Sequence, residues 1–459
     1  MTETIGPVHL IGVGGMHMSA IAQLLLQQGI PVSGSDIRAS ALTERVEAMG
    51  GRVFIGEHDA ANVGDAASLV YTAAVGEENP ELAEARRRGI PAILRAEMVA
   101  RLMEGKRVIA VAGSHGKTTT SSLIAFALKE AGMDPMYLLG GESLDLGGNA
   151  SWGNGPICVV EADEYRRAFH EYTPDVAVIT NIEADHLDVY GTEEAYFEAF
   201  VEFARKIKPG GRLIICDDDP GADRLVTELS GTTFEVQTYG LAPRDHWMAG
   251  NPQQNANGVS FEVLRQGTRV GDLHLKRPGM HVVRNALAAA AVCLQEGVEF
   301  SDLRSSAAKF DGAARRFEYK GDAGGVVVMD DYAHHPTEVR TILEAARARF
   351  GNRRIIGVYQ PHTYSRIAYL WDDWTTCWSG LDALIVVETY AAREQPLPGK
   401  SAADLARAIR QPSASYAADF EIAAKMAADT AKAGDVIFTI GAGDVTELGP
   451  RILELLSER

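Results

Sequence analysis

The sequence predicts an α/β protein of three domains, and three observations carry that reading. At 459 residues the chain is long enough for about three domains of ordinary size. Short apolar runs alternate with helix-like segments, the pattern of parallel strands joined by crossover helices. Those runs repeatedly end in glycine or polar clusters just before the next helix, where ligands sit in such sheets.

Composition narrows the partners. A formal net charge of -18 argues against a nucleic-acid partner, because a phosphate backbone needs basic surface. The four cysteines are far apart without metal-ligand spacing, and Cys158, Cys216 and Cys293 sit in apolar stretches, so buried thiols in a reducing compartment are expected. The start MTETIGPVHL lacks the features of a signal peptide, and no apolar run reaches membrane-span length. The expectation is a cytoplasmic protein with no membrane partner.

Residues 8–12 read as a strand entering Gly12-Val-Gly14-Gly15-Met-His17-Met-Ser19 and a helix stopped at Gly29. A second short strand, 32–34, ends at Ser35-Asp36, the place of a ribose-binding carboxylate in a doubly wound nucleotide domain. Gly14 and Gly15 permit a diphosphate to approach the backbone. The dinucleotide fingerprint is not met, because its third glycine falls on His17. Runs 68–74 and 91–95 read as strands that place Thr72 and Arg95 at strand ends. A helix over 97–103 follows, and 105–107 reads as a linker.

The strongest local signal comes next. Val108-Ile-Ala-Val-Ala112 reads as a buried strand, Gly113-Ser114-His115-Gly116 as a tight loop, and 117–130 as a helix. Backbone N–H groups and the helix dipole there form an anion site. Lys117 reaches the outer phosphates of a nucleotide and the Thr118 hydroxyl can ligate magnesium. Val111 stands where the standard phosphate loop has its first glycine, so the match rests on Gly113, Gly116, Lys117, Thr118 and Thr119 in a strand–helix context. The strand 157–160 ends in Glu161-Ala-Asp163-Glu164, where a carboxylate holds magnesium. The strand 176–180 runs into Asn181-Ile-Glu-Ala-Asp185-His186, a second cluster of ligand grade. A further strand, 212–216, ends in a capping acidic turn, Asp217-Asp218-Asp219. Residues 232–275 are strand-like, and an alanine-rich core helix begins at 279.

In the last third, four apolar strands end in polar clusters. Residues 326–329 lead to Asp330-Asp-Tyr-Ala-His334-His335-Pro, and 355–359 to Gln360-Pro-His362-Thr-Tyr-Ser-Arg366. Residues 383–387 lead to Glu388 and on to Tyr390-Ala-Ala-Arg393-Glu394, and 436–440 to Gly441-Ala-Gly443-Asp444. Adjacent histidines rarely both reach one ion, so substrate contact or capping is expected of His334-His335 rather than zinc.

Seven of these motifs, in order, resemble the Mur ligases of bacterial cell-wall synthesis over almost the whole chain. They are Gly12 to Gly15 with Ser35-Asp36, Gly113 to Thr120, Glu161 to Glu164, Thr180 to His186, Asp330 to Glu338, Gln360 to Arg366, and Tyr390 to Glu394. The resemblance implies a Rossmann-like UDP-sugar domain (1–105), a central P-loop ATPase-like domain (106–311) and a Rossmann-like amino-acid domain (312–459). It implies an ATP-dependent ligase that joins L-alanine to UDP-N-acetylmuramate through an acyl phosphate, with ATP and Mg2+, acting as a monomer or homodimer. By position, Gly12, Gly14, Gly15, Ser35, Asp36, Thr72 and Arg95 would bind the UDP-sugar. Gly113 to Thr119, Asn285 and Arg315 would bind ATP, including Ser114 and His115. Thr118, Glu161 and His186 would hold the metal, and His335, His362 and Arg366 would line the amino-acid pocket. Lys117, His186, His335 and Arg316 would be catalytic. The family's asparagine after the histidine of the adenine motif is Val282 here, which predicts one adenine hydrogen bond fewer. Three alternatives stand beside this reading. They are a recycling ligase that attaches a tripeptide, a nicotinamide-dependent dehydrogenase, and a phosphate-loop protein that binds nucleotide without ligating.

Overall fold

The computed structural model describes residues 6–392 and 394–459. Each third of the chain builds one sheet. The first has five parallel strands in the order Arg52–Ile55, Val32–Asp36, Val8–Ile11, Ser68–Tyr71, Ala92–Leu94. Val8–Ile11 is buried throughout, because helices cover both faces of a parallel sheet. One of them, Met16–Gln27, buries Ile21, Leu24 and Leu25 and carries the first domain onto the central one within a shared core.

The central sheet has ten strands, parallel in its middle. Arg107–Ala112 lies between Val176–Ile179 and Ile157–Glu161, so crossovers leave it in both directions and a crevice opens at its carboxyl end. The helix Lys117–Glu130 packs there against the alanine-rich helix Met280–Gln295. The third sheet has six strands, with antiparallel Glu318–Ala323 at one edge and Val326–Asp331 beside it. Among the described residues, no helix is long and apolar enough to cross a membrane.

The structure shifts several expected elements. Arg95 opens the helix Arg95–Leu102 instead of ending a strand, and Thr72 lies just past the strand Ser68–Tyr71. The strand-like stretch resolves into Glu235–Gly240, Trp247–Asn255, Gly258–Arg265 and Thr268–Leu275, the last three an antiparallel meander. Ala414–Ala417 is an additional edge strand, short and half solvated, so it lacks an apolar run to read. All four cysteines are buried and free.

Ser35 was expected at the UDP-sugar site and is instead turned inward. Its hydroxyl donates to Glu81 Oε2 at 2.6 Å, where His9 Nε2 (3.2 Å) also points, and Asn62 donates to Glu81 Oε1 at 2.8 Å. Burial opposes the Glu81 charge, but these hydrogen bonds outweigh it and hold the carboxyl at about 2. Glu81→Gln keeps one acceptor oxygen and turns the other into an amide donor that faces donors already there, and we expect a loss of about 2 kcal/mol in urea unfolding at pH 7. The sign follows from the depressed value. The Glu81 contribution is complete above the ordinary value of 4.5 and is lost as pH falls towards about 2. The unmodified chain should therefore lose stability more steeply than the variant between those limits; parallel curves would show that Glu81 does not supply the dependence.

Candidate active site

The P-loop is shaped by what surrounds it. Gly113 (φ +133) has no room for a Cβ, which would meet Thr180 Oγ1 at 2.0 Å, and a Cβ on Gly116 (φ +83) would meet Asn285 Oδ1 at 2.7 Å. His115 is braced by Asn181, which accepts from its backbone N–H at 2.9 Å, while Thr180 Oγ1 donates to its carbonyl at 2.6 Å. The Ser114 hydroxyl is held inward by Glu183 O and Tyr196, so its contribution to an anion comes from the backbone. Lys117 Nζ donates to Gly113 O (2.6 Å) and Glu164 Oε1 (2.9 Å). Burial works against its charge, yet Glu164 and Glu161 hold its pKa above the usual lysine value.

Thr118 Oγ1 donates to Glu161 Oε2 at 2.8 Å, and the same oxygen accepts from Gly140 N. A hydroxyl and a carboxylate in contact beside a phosphate cradle form a hard, all-oxygen donor set that suits Mg2+. His186, left-handed at φ 53, faces the same chamber, with its Nε2 3.8 Å from Asp185 Oδ2 and 3.9 Å from Glu164 Oε1.

That chamber, about 400 Å³, is lined from all three domains: Met16 and His17 from the first, the P-loop and Glu161 from the second, and Arg315, Arg316, His334 and Arg366 from the third. Two cavities adjoin it. One of about 320 Å³ lies between Gly116, Thr119, Asn285 and the Arg284–Asp218 pair (2.6 Å), with Arg316 on its border. Val282 is buried in the central core and is not among the residues lining this cavity. The other, about 580 Å³, is lined by His362, Arg366, Tyr390 and His186.

Arg366 crosses between domains. It donates to Asp185 Oδ1 at 2.9 and 3.1 Å and to Oδ2 at 3.1 Å, while His362 Nδ1 lies 3.1 Å from its Nη1. Burial raises the cost of the Asp185 charge, but Arg366 holds its carboxyl well below the usual range. Arg316 reaches Glu338 at 3.2 Å beneath Tyr332. Arg315 is tied within the third domain to Asp330 (3.1 Å) and Gly441 O (2.6 Å), though it still borders the chamber.

Other sequence-based assignments change. His335, expected in the amino-acid pocket, is 2% exposed, caps the helix Pro336–Phe350 and lies against His115; His334 borders the chamber in its place. Asp36 is occupied with the glycine loop, accepting from Gly14 N at 2.9 Å and Arg38 N at 3.2 Å. Arg95 is paired with Asp163 at 2.8 Å and braces the first domain on the second. Arg393 lies outside the described residues. Sequence reasoning passed over His17 by treating it only as a missing glycine. Its side chain reaches the chamber near Arg95 and Lys117, and burial followed by Arg95 pushes its pKa down to about 3, so it is a neutral imidazole. A bulky polar residue where a glycine turn should begin a helix was the available signal.

A chamber shared by three domains, with a phosphate loop at its floor, suits an enzyme that activates one substrate with ATP before joining it to a second. The class is that of the ATP-dependent ligases. Three family models match in succession: "Mur ligase family, catalytic domain" over 7–107, "Mur ligase middle domain" over 111–293 and "Mur ligase, glutamate ligase domain" over 315–443. The chain belongs to the Mur ligase family. It is 44% identical to the UDP-N-acetylmuramate–L-alanine ligase of Mycolicibacterium vanbaalenii, over 98% of this chain and 96% of that one. It is 40% identical to the enzyme of that name from Trichlorobacter lovleyi, over 99% and 100%. Among solved structures it resembles the UDP-N-acetylmuramate–alanine ligase MurC of Thermotoga maritima, with TM-score 0.82, 28% identity and 98% of each chain covered.

Proposed function

We propose that this chain joins L-alanine to the carboxylate of UDP-N-acetylmuramate at the expense of ATP, in the cytosol. The observation that carries the reading is the common chamber, which brings Lys117, Arg316 and Arg366 from two domains together with Met16 and His17 of the first. A carboxylate does not accept an amine in water, so it must first become an acyl phosphate. The reading assigns the sugar nucleotide to the rim formed by Gly12, Gly14 and Gly15, with the uncapped start of the helix Met16–Gln27 offering backbone donors to a diphosphate.

Lys117 then leaves Glu164 for the outer phosphates of ATP, and Arg316 steadies them from the third domain. Thr118 and Glu161 are the residues that would hold Mg2+, with His186 across the chamber; bound there, the ion screens the triphosphate and polarises its terminal group. Arg366 and His362 orient the amino acid by its carboxylate, so that its amine meets the acyl phosphate. The arginine–carboxylate contacts between domains shut out the water that would hydrolyse it. The domain divisions 1–105, 106–311 and 312–459 and action as a monomer or homodimer belong to the same reading. The dehydrogenase reading is excluded by family membership.

The test is phosphate release from ATP with UDP-N-acetylmuramate, adding L-alanine, glycine, L-serine or the tripeptide L-Ala-γ-D-Glu-meso-diaminopimelate one at a time. Release should require both the sugar nucleotide and L-alanine. The cavity of about 580 Å³ beside Arg366 exceeds what alanine fills, which is why the tripeptide is included. Release with the tripeptide alone would reassign the chain to recycling.

A further inference from the structure

A cluster of side chains to which the reaction steps above give no role gathers on the seam between the central and third domains. His115 of the P-loop, Glu183 and His335 each place one donor atom within 4.8 Å of the others. A single oxygen faces both rings: Glu183 Oε2 lies 2.9 Å from His115 Nε2 and 3.9 Å from His335 Nδ1. His335 Nδ1 accepts the Thr337 backbone N–H at 3.3 Å, so an ion bound at this nitrogen would take over the lone pair that the helix cap uses. Metal–ligand bonds of about 2.0–2.1 Å in a tetrahedral site set neighbouring donors about 3.3 Å apart, and the two spacings straddle that value.

The outer contacts point the same way. His115 Nδ1 faces Glu338 Oε1 at 3.4 Å, and Thr337 Oγ1 donates to Glu183 Oε1 at 2.6 Å. A carboxylate behind an imidazole and a hydroxyl behind a carboxylate are the supports that orient metal ligands. His335 is 2% exposed and its Nε2 has no hydrogen-bond partner, so this ring is buried without a full set of protein contacts. Glu183 is 38% exposed on its side chain, which leaves room for a further ligand.

We propose that His115, Glu183 and His335 form a site for a divalent transition ion of the Zn2+ or Co2+ kind. Two imidazoles and one carboxylate with an open position suit such an ion, whereas the Thr118–Glu161 pair offers only oxygen and suits Mg2+. An ion held there ties the P-loop directly to the N-cap of the helix Pro336–Phe350 in the third domain. The site stands on its own geometry and does not depend on which amino acid the enzyme takes.

The test is titration of the whole chain with Co2+, without nucleotide and without Mg2+. The expected result is a single equivalent bound with the visible absorption of a four- or five-coordinate ion, displaced by Zn2+, and a rise in melting temperature with Zn2+ that equal Mg2+ does not give. His335→Asn keeps an acceptor for the Thr337 N–H, so the helix cap survives while the ring is lost. That variant and Glu183→Gln should each weaken Co2+ binding about 100-fold. Glu161→Gln should leave the absorption band in place. The proposal is overturned if the unmodified chain shows no such band, if His335→Asn and Glu183→Gln bind Co2+ as the unmodified chain does, or if Glu161→Gln abolishes the band.

Discussion

Lys117→Ala should lower ligase turnover about 10³-fold, the scale for removing a donor that stabilises developing charge. The same change should also weaken the fold. Lys117 is the main countercharge of Glu164, which is 2% exposed, and the two lie 2.8 Å apart. A buried carboxylate stripped of its partner costs about 3–5 kcal/mol. The single variant therefore confounds two losses, and a second substitution separates them. Glu164→Gln in the Lys117→Ala background removes the stranded charge, so the melting temperature should recover while phosphate release stays at the floor. Recovery of both together would mean that Lys117 serves the fold alone, and the assignment of ATP to this loop would fall.

Arg366→Ala should act on the joint between domains. Asp185 and Arg366 are 7% and 9% exposed on their side chains, and they belong to different domains. Losing the guanidinium leaves Asp185 buried and unpaired, at a cost of about 3–5 kcal/mol, borne by the closed arrangement instead of by either domain alone. The expected result is a loss of kcat/KM for the amino acid of about 10²-fold or more. Small-angle scattering should show a larger radius of gyration without loss of helical signal. Arg366→Lys should not restore activity, because an ammonium cannot reproduce the three contacts to one carboxylate. Unchanged scattering with unchanged kinetics would show that the pair is not needed for closure.

Local features of the site were readable residue by residue. The strand, glycine loop and helix from Arg107–Ala112 to Lys117–Glu130 lie within one continuous stretch, so apolar periodicity and two glycines specified them. The acidic strand end at Glu161 was legible for the same reason, and its contact with Thr118 fits its assignment. The sequence alone thus determined the three-part α/β architecture, the family, and the phosphate loop with its lysine, because strand order and loop chemistry follow from short-range patterns.

The tertiary structure decided which way neighbouring side chains face and whom they meet. Ser35 and Asp36 are adjacent in a strand, where successive side chains alternate, so one is drawn into the Glu81 network and the other to the glycine loop. At His334-His335 the chain turns from extended backbone into a helix, and the capping geometry sends the second ring to His115 and leaves the first at the chamber. Asp185 meets Arg366 across 181 residues of chain. No local pattern encodes that contact, because burial of the charge favours it only when two folded domains close on one another.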